Sequence, residues 1–191
     1  ISNKPIITLF PGSRKQELNK HLPVFIKTAE RMNNNNIQFI LGLAPELSLE
    51  HFKIPKWIHI ENRYPQKALE CADLALVASG TATLEAAVFG TPMIIIYKMS
   101  ILSWWLTKLL VKTEHAGIVN IIAEEKIMPE FLQNKANEIN IANKAIEIIN
   151  NNNVIEEMKL KLLNVKQKLG TTGASDRAAR HILSLLILNE N

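Results

Sequence analysis

The sequence has one cysteine, Cys71, among its 191 residues. A single thiol excludes an internal disulfide framework and a cysteine-based zinc site, and it fits a reducing compartment such as the cytosol. Long apolar runs are also missing, because lysine, serine and threonine interrupt the most apolar stretch, residues 93–111. That stretch fails the requirement of about 20 predominantly apolar residues for a membrane-spanning helix. Residues 1–10 lack the features of a signal peptide.

Several familiar ligand-binding patterns are absent as well. The 5 histidines include no pair spaced four residues apart and no carboxylate pairing typical of a metal site, so we predict no bound metal. The sequence contains neither the P-loop lysine motif nor the three-glycine dinucleotide fingerprint, which argues against an ATPase or an NAD enzyme. The net charge of +4 suits a phosphate ligand or an anionic membrane surface, and it does not indicate a nucleic-acid partner.

The sequence does contain short, apolar, β-branched runs that alternate with longer stretches of helical spacing. This alternation predicts βαβ units, and we therefore expect an α/β fold: a Rossmann-like, doubly wound parallel sheet followed by C-terminal helices. The predicted strands are residues 6–10, 37–41, 58–60, 74–78 and 93–97. The predicted helices are residues 16–32, 46–52, 65–71, 81–89, 102–110, 135–149, 154–169 and 175–188.

The first predicted strand is followed by Gly12, Ser13 and Arg14, which open a helix. Ser13 and Gln16 have the spacing of a capping box, and a helix amino terminus reached through a glycine is a potential anion site. A cation in the first turn opposes the helix dipole unless an anion lies between them, so Arg14 favours a phosphate ligand. A plain capped helix with Arg14 in solvent fits the same spacing.

The fourth predicted strand is followed by Ser79, Gly80 and Thr81, again at the start of a helix. Backbone amides and hydroxyl groups in such a loop can contact diphosphate oxygens. Glu85 follows Thr81 by about one helical turn, so it lies on the same side of the helix, within range of a ribose. The competing interpretation is that the serine and threonine only cap the helix and that Glu85 is a solvated surface side chain.

Residues 97–112 combine Trp104 and Trp105 with leucines and three lysines. Tryptophan and lysine together are typical of a helix at a bilayer interface. Burial in the core or in a subunit contact is the favoured interpretation of the same pattern.

A series of short motifs, in order and in spacing, resembles the lipid-A-disaccharide synthase family. These motifs are residues 9–14, 78–86, 90–93, 97–98, 110–113, 120, 129–133 and 173–179. The family consists of inverting glycosyltransferases of the GT-B fold, which has two Rossmann-like domains, and this chain resembles the second, donor-binding domain. The resemblance implies transfer of 2,3-diacylglucosamine from UDP-2,3-diacylglucosamine to 2,3-diacylglucosamine 1-phosphate, which releases UDP and needs no cofactor.

The resemblance also implies roles for individual residues. Gly12, Ser13 and Arg14 would hold the diphosphate, and Arg14 would stabilise the departing UDP as the catalytic group. Ser79, Gly80 and Thr81 would add donors, Glu85 would hold the ribose, and Asn120 would line the donor cavity. The uracil would meet backbone groups near residues 62–64.

The resemblance further implies that residues 1–174 bind the UDP-sugar and that the helix at residues 175–191 packs on a first domain outside this chain. That domain would carry the general base and most of the acceptor site, so this chain alone would bind UDP without catalysing transfer. We expect a cytosolic protein that associates peripherally with the anionic inner face of the inner membrane, and a homodimer is compatible with the sequence. The alternatives are another GT-B UDP-sugar enzyme, such as the peptidoglycan N-acetylglucosaminyltransferase or a UDP-N-acetylglucosamine 2-epimerase, and a non-catalytic membrane-binding module.

Overall fold

The computed structural model describes residues 4–33, 36–98, 115–170 and 173–188. A six-stranded parallel sheet has the order β3-β2-β1-β4-β5-β6, which is the strand order of a Rossmann-like fold. The strands are β1 (Ile6–Phe10), β2 (Gln38–Gly42), β3 (Ile58–Glu61), β4 (Leu74–Ala78), β5 (Met93–Tyr97) and β6 (Glu130–Leu132). The predicted fold class is therefore confirmed.

The helices connect the strands and then complete the chain. They are α1 (Lys15–Met32), α2 (Pro65–Glu70), α3 (Ala82–Phe89), α4 (Ile118–Ala123), α5 (Glu138–Ile149), α6 (Asn152–Leu169) and α7 (Ala174–Leu188). The helix predicted at residues 102–110, with its two tryptophans, lies outside the described residues. Within the described ranges, no helix combines the length and the apolar character needed to cross a bilayer.

Burial in the core explains why the strands could be predicted from the sequence. Every residue of β4 is buried, and β5 is buried from Met93 to Ile96. Side chains on a strand alternate between the two faces, so a strand buried at every position must be covered on both faces. Helix α1 packs against α5, and α3 packs against α2 and α6. Each fully buried leucine or isoleucine contributes about 1.5 to 3 kcal/mol relative to an exposed position.

The helix predicted at residues 46–52 is wrong. Two separate turns occupy this segment, closed by hydrogen bonds from the Leu47 N–H to the Ala44 carbonyl and from the Phe52 N–H to the Leu49 carbonyl. The Ser48 hydroxyl accepts a hydrogen bond from the backbone N–H of residue 50 at 3.2 Å. Such local side-chain bonds offer the backbone an alternative to the helix, and here that alternative prevails.

Other element ends are shifted by one or two residues, and three further elements differ more from the prediction. Strand β6 and helix α4 were missed, because three and six residues are too few to show a clear hydrophobic period. The helix predicted from residue 135 begins at Glu138, after a short 3₁₀ turn at Gln133–Lys135. The Asn137 side chain accepts a hydrogen bond from the Asn140 N–H at 3.0 Å and so caps the helix.

The last helix, α7, differs from the others in its exposure. Its described side chains, residues 174–184, are all exposed. Ile182 and Leu183 are 59% and 57% exposed, although they belong to an apolar stripe. Burial within the described part of the chain therefore does not account for the apolar face of α7.

Candidate functional site

A cavity of about 560 Å³ lies at the carboxyl ends of the strands. Its walls come from the loops after β1, β2 and β4, the start of α2, the end of β5 and the start of α4. Strand order reverses between β1 and β4, and ligands of doubly wound folds bind in the crevice at such a point. The volume is within the usual range for sites that bind small molecules.

Seven of the predicted site residues line this one cavity. They are Gly12, Ser13, Arg14, Ser79, Gly80, Thr81 and Glu85. The two loops are far apart in the sequence, but β1 and β4 are hydrogen-bonded neighbours and end at the same edge of the sheet. The parallel pairing therefore brings the two loops to opposite sides of the same crevice.

The loop after β1 is shaped by Glu17, in the first turn of α1. Its carboxylate accepts hydrogen bonds from the backbone N–H groups of Ser13, at 3.0 Å, and Arg14, at 3.3 Å. Gly12 has a φ of +109°, and a Cβ at this position would collide with the Glu17 side chain. The predicted capping box of Ser13 and Gln16 is therefore wrong, because Arg14 occupies the N-cap position and Glu17 supplies the carboxylate.

Arg14 is the exposed cation of the cavity. Its side chain is 82% exposed, and Nη1 lies 3.7 Å from Oε1 of Glu17. An ion pair so open to solvent contributes about 0 to 1 kcal/mol, so it holds the guanidinium only weakly. Glu17 occupies the N–H groups of Ser13 and Arg14, so these two amides are not free to bind an anion, whereas the exposed Arg14 guanidinium can do so.

The loop after β4 is held by bonds inside the protein. The Ser79 N–H donates to the Ile96 carbonyl at 2.8 Å, and the Ser79 hydroxyl donates to the Ala116 carbonyl at 3.0 Å. The Thr83 hydroxyl donates to the Gly80 carbonyl at 2.7 Å. Thr81 is exposed at the N-cap of α3, and its side chain makes no capping bond there. Its hydroxyl is therefore directed to other partners or to solvent.

Glu85 carries the unsatisfied acceptor of the cavity. Its Oε2 atom is buried and has no hydrogen-bond partner among the residues that the structure describes. Burial raises the pKa of this carboxyl above its ordinary value, since the charged form loses hydration. Leaving a buried acceptor without a donor costs about 1 to 3 kcal/mol. A ligand with hydroxyl groups at this position would offset that cost.

Asn120 does not line the cavity as expected. It is fully buried, and its amide donates to the Met128 carbonyl at 2.8 Å and to Oε1 of Glu130 at 2.6 Å. Its Oδ1 atom accepts the Met128 N–H at 2.8 Å. Glu130 also accepts the N–H groups of Ala116 and Gly117, at 3.0 and 2.9 Å. Asn120 therefore anchors the start of α4, and the neighbouring Ile118 lines the cavity in its place.

Residues 62–64, where the uracil is expected, are not among the residues that line this cavity. The Glu61 carboxylate accepts the N–H groups of Arg63, at 2.9 Å, and Tyr64, at 2.8 Å, and these bonds lower the pKa of Glu61. Those backbone donors are therefore occupied, and Pro65 and Gln66 line the cavity instead. The cavity is also lined by residues 44–46 and Tyr97, which were not predicted as site residues. Residues 44–46 follow a predicted strand and Tyr97 ends one, and this position was the signal that could have identified them.

Among the described residues, no group of three or more histidine, cysteine, aspartate or glutamate side chains is placed to hold a metal ion. The charged groups that line the described cavity are the Arg14 guanidinium and the carboxylates of Glu17, Glu46 and Glu85, and Ser13, Ser79, Thr81 and Tyr97 add hydroxyl groups.

Solved structures share this fold. The calicheamicin glycosyltransferase CalG4 superposes with a TM-score of 0.63 at 14% identity, over 97% of this chain and 44% of that chain. The spinosyn rhamnosyltransferase SpnG, complexed with spinosyn aglycone, gives 0.65 at 11% identity, over 95% and 46%. A putative UDP-N-acetylglucosamine 2-epimerase from Listeria monocytogenes gives 0.54 at 12% identity, over 82% and 40%. This likeness shows the fold of a GT-B glycosyltransferase domain.

Sequence comparison identifies the family. The family model described as lipid-A-disaccharide synthetase matches residues 1–182. The lipid-A-disaccharide synthase of Syntrophus aciditrophicus is 37% identical over 94% of this chain and 49% of its own length. That of Nitrosococcus oceani is 36% identical, over 93% and 48%. The chain thus spans about half the length of the curated relatives it matches, and it belongs to the lipid-A-disaccharide synthase family.

Proposed function

We propose that this chain is the donor-binding half of a glycosyltransferase of lipid A biosynthesis. The full reaction transfers 2,3-diacylglucosamine from UDP-2,3-diacylglucosamine to 2,3-diacylglucosamine 1-phosphate, which forms the lipid A disaccharide and UDP. The observation that carries the proposal is the convergence of Arg14, the loop at Ser79 and the unsatisfied carboxylate of Glu85 on one cavity. A nucleoside diphosphate has the complementary groups, an anion at one end and two ribose hydroxyls at the other.

In this proposal the diphosphate lies between the two strand-end loops. The Arg14 guanidinium and the Ser13 hydroxyl bind it on one side, and Gly80 and Thr81 bind it on the other. As the bond between the sugar and the diphosphate breaks, negative charge grows on the departing UDP. A guanidinium already placed at that position stabilises the charge without further reorganisation, so Arg14 is the proposed catalytic group.

Glu85 fixes the nucleoside in the same arrangement. Its Oε2 atom accepts the ribose hydroxyls, which are the donors that this buried oxygen lacks. A ribose held at Glu85 and a diphosphate held at Arg14 define the position of the sugar that is transferred. The donor is thereby oriented from both ends.

The remaining parts of the reaction are assigned to the rest of the protein. The general base, and most of the acceptor site, belong to a domain outside this chain, on which residues 175–191 pack. Residues 1–174 then form the donor-binding unit, which needs neither a metal nor an organic cofactor. The acylated substrates place the protein on the cytosolic face of the inner membrane, where its basic net charge of +4 favours anionic lipid. Association as a homodimer is compatible with this placement.

Calorimetric titration of UDP into the chain tests the proposal. We expect Arg14→Ala to weaken UDP binding by about 1.5 to 3 kcal/mol, the usual contribution of a hydrogen bond to a charged group. The matched control is Arg31→Ala, which removes an exposed arginine from the last turn of α1 and should leave the affinity unchanged. Absence of UDP binding by the unmodified chain would contradict the proposal.

Two further outcomes bear on the finer assignment. Tighter binding of UDP-2,3-diacylglucosamine than of unacylated UDP-glucosamine supports the lipid A donor, whereas the opposite order favours another UDP-sugar enzyme. Disaccharide formation by this chain alone would refute the assignment of the general base to a domain outside it.

A further inference from the structure

His21 is a buried histidine next to the cavity wall, and its two ring nitrogens have partners of opposite kind. The side chain belongs to α1 and is 3% exposed. Nδ1 lies 2.8 Å from the backbone carbonyl oxygen of Glu17, and the Lys98 N–H donates to Nε2 at 3.2 Å. A carbonyl can only accept and an N–H can only donate, so the ring is neutral, with its proton on Nδ1.

These two partners belong to different elements at the cavity, helix α1 and the end of strand β5. Glu17 lines the cavity and holds the backbone of Ser13 and Arg14 through its carboxylate. Lys98 directly follows Tyr97, which lines the cavity from the end of β5. One imidazole therefore connects α1, the helix that follows the first loop, to the end of β5.

We propose that His21 is a positioning residue that fixes these two elements relative to each other only while its ring is neutral, so that binding of the nucleoside diphosphate weakens when the ring is protonated. The effect on binding rests on the function proposed above. The connection between the two elements does not, because it is a property of the protein without ligand.

Protonation reverses the hydrogen bonding at Nε2. The imidazolium carries a proton on each nitrogen, so Nε2–H would face the Lys98 N–H, and two donors cannot bond to each other. Among the described residues, the charged groups around the ring are the carboxylate of Glu17, which favours the imidazolium, and the ammonium groups of Lys98 and Lys20, which oppose it. Burial has the largest effect and lowers the pKa of His21 below its ordinary value. On the remaining side lies the uncharged ring of Phe25, with its centroid 6.2 Å away.

The first experiment is an NMR titration of the ligand-free chain from pH about 7.5 to about 5. We expect the His21 ring to be the Nδ1–H form at the upper end. We also expect the amide signals of Glu17, Tyr97 and Lys98 to shift with the same midpoint as the His21 ring. In His21→Gln, whose side-chain oxygen can accept the Lys98 N–H without titrating, this common transition should disappear. Amide signals that do not follow the ring would overturn the proposal.

The second experiment measures the affinity for UDP-glucose, a diester whose diphosphate keeps the same charge over this range. The affinity of both proteins is compared at pH about 7.5 and about 5. Over this range the unmodified chain should lose about threefold to tenfold more affinity than His21→Gln, which corresponds to the loss of one hydrogen bond. Glu85 is present in both proteins, so any effect of its titration on UDP-glucose binding is the same in both and cancels in the comparison. The control His51→Gln should behave like the unmodified chain.

The possible results separate the two proposals. An equal loss of affinity in both proteins, or tighter binding on acidification that depends on His21, would overturn the positioning role. The second of these results would mean that the imidazolium simply attracts the diphosphate. If UDP-glucose fails to bind at any pH, the proposed function is refuted, and the ligand-free titration still decides whether His21 connects the two elements.

Discussion

The two strand-end loops have the same position in the fold and opposite physical character. The loop after β1 presents an exposed cation, Arg14, and is held by a carboxylate of its own helix, Glu17. The loop after β4 carries no charge, and its serine bonds to the backbone of a distant segment at Ala116. Beyond it lies the half-buried carboxylate of Glu85, whose Oε2 atom has no hydrogen-bond partner among the described residues.

Within one cavity, the first loop therefore supplies positive charge and the second supplies a fixed, uncharged backbone. The guanidinium beside the first loop can move to meet an anion, because solvent screens its ion pair with Glu17. The second loop is held by hydrogen bonds to the surrounding protein, and Glu85 lies in the first turn of the helix that follows it. We therefore expect the first loop to determine how strongly a diphosphate binds, and Glu85, beyond the second loop, to determine whether the ligand must carry ribose hydroxyls.

The largest expected effect on stability comes from exchanging the glycine of the first loop for alanine. Gly12→Ala places a side chain at a φ of +109° and against Glu17, which should lower the free energy of unfolding by about 1 to 3 kcal/mol. Gly80→Ala is the matched control, because a Cβ there meets no described atom within 4 Å and φ is not in the left-handed region. Urea denaturation measures both variants, and equal destabilisation would remove the contrast between the loops.

A smaller effect is expected when Glu85 is changed to glutamine. Burial raises the pKa of the Glu85 carboxyl in the folded protein above its ordinary value of 4.5. Below pH 4.5 the carboxyl is protonated and its burial does not oppose folding. As the pH rises through the folded-state pKa, the carboxyl ionises and this stability is lost. The ligand-free Glu85→Gln variant should therefore gain stability relative to the unmodified chain at neutral pH and show no such gain at acidic pH. Thermal unfolding at both pH values measures this difference.

The same variant tests the role proposed for Glu85 in ribose binding. Removing the ribose hydroxyls from UDP should weaken binding to the unmodified chain by about 1 kcal/mol or more, and should weaken binding to Glu85→Gln by less. An identical loss in both proteins would show that Glu85 does not contact the ribose.

The smallest expected effect is that of Glu17→Gln. The amide oxygen can still accept the N–H groups of Ser13 and Arg14, but the ion pair with Arg14 and the negative charge beside the diphosphate are removed. Stability should change by less than about 1 kcal/mol, and UDP should bind slightly more tightly at low ionic strength. Titrations at two salt concentrations test this, and weaker binding in the variant would mean that the carboxylate itself shapes the site.

The fold was predictable from the sequence wherever a strand is buried on both faces. Strands β1, β4 and β5 have the predicted bounds, because a short continuous apolar run between polar or turn-forming residues is typical of a strand covered on both faces. The segment at residues 46–52 was mispredicted, since a serine side chain and two tight turns compete there with a weak helical pattern. Strand β6 is half-buried and short, so it leaves no periodic signal.

Site residues were predictable by position and less so by orientation. The rule that ligands lie beyond the carboxyl ends of parallel strands was enough to find Arg14, Ser79 and Glu85 on one cavity. It did not reveal that Asn120 points into the core, because its partners Met128 and Glu130 lie eight and ten residues away and carry no motif of their own. The direction of a side chain depends on such partners, which spacing alone does not specify.

The occupied backbone donors of the first loop have a consequence for inhibitor chemistry. A compound that mimics a phosphate by accepting from the amides of Ser13 and Arg14 would have to displace the Glu17 carboxylate from both. A more economical scaffold would place a planar anion against the Arg14 guanidinium, where paired N–H groups can bond in parallel. A hydroxyl or amine donor at the far end, directed at Glu85, would then supply the hydrogen bond that this carboxylate lacks.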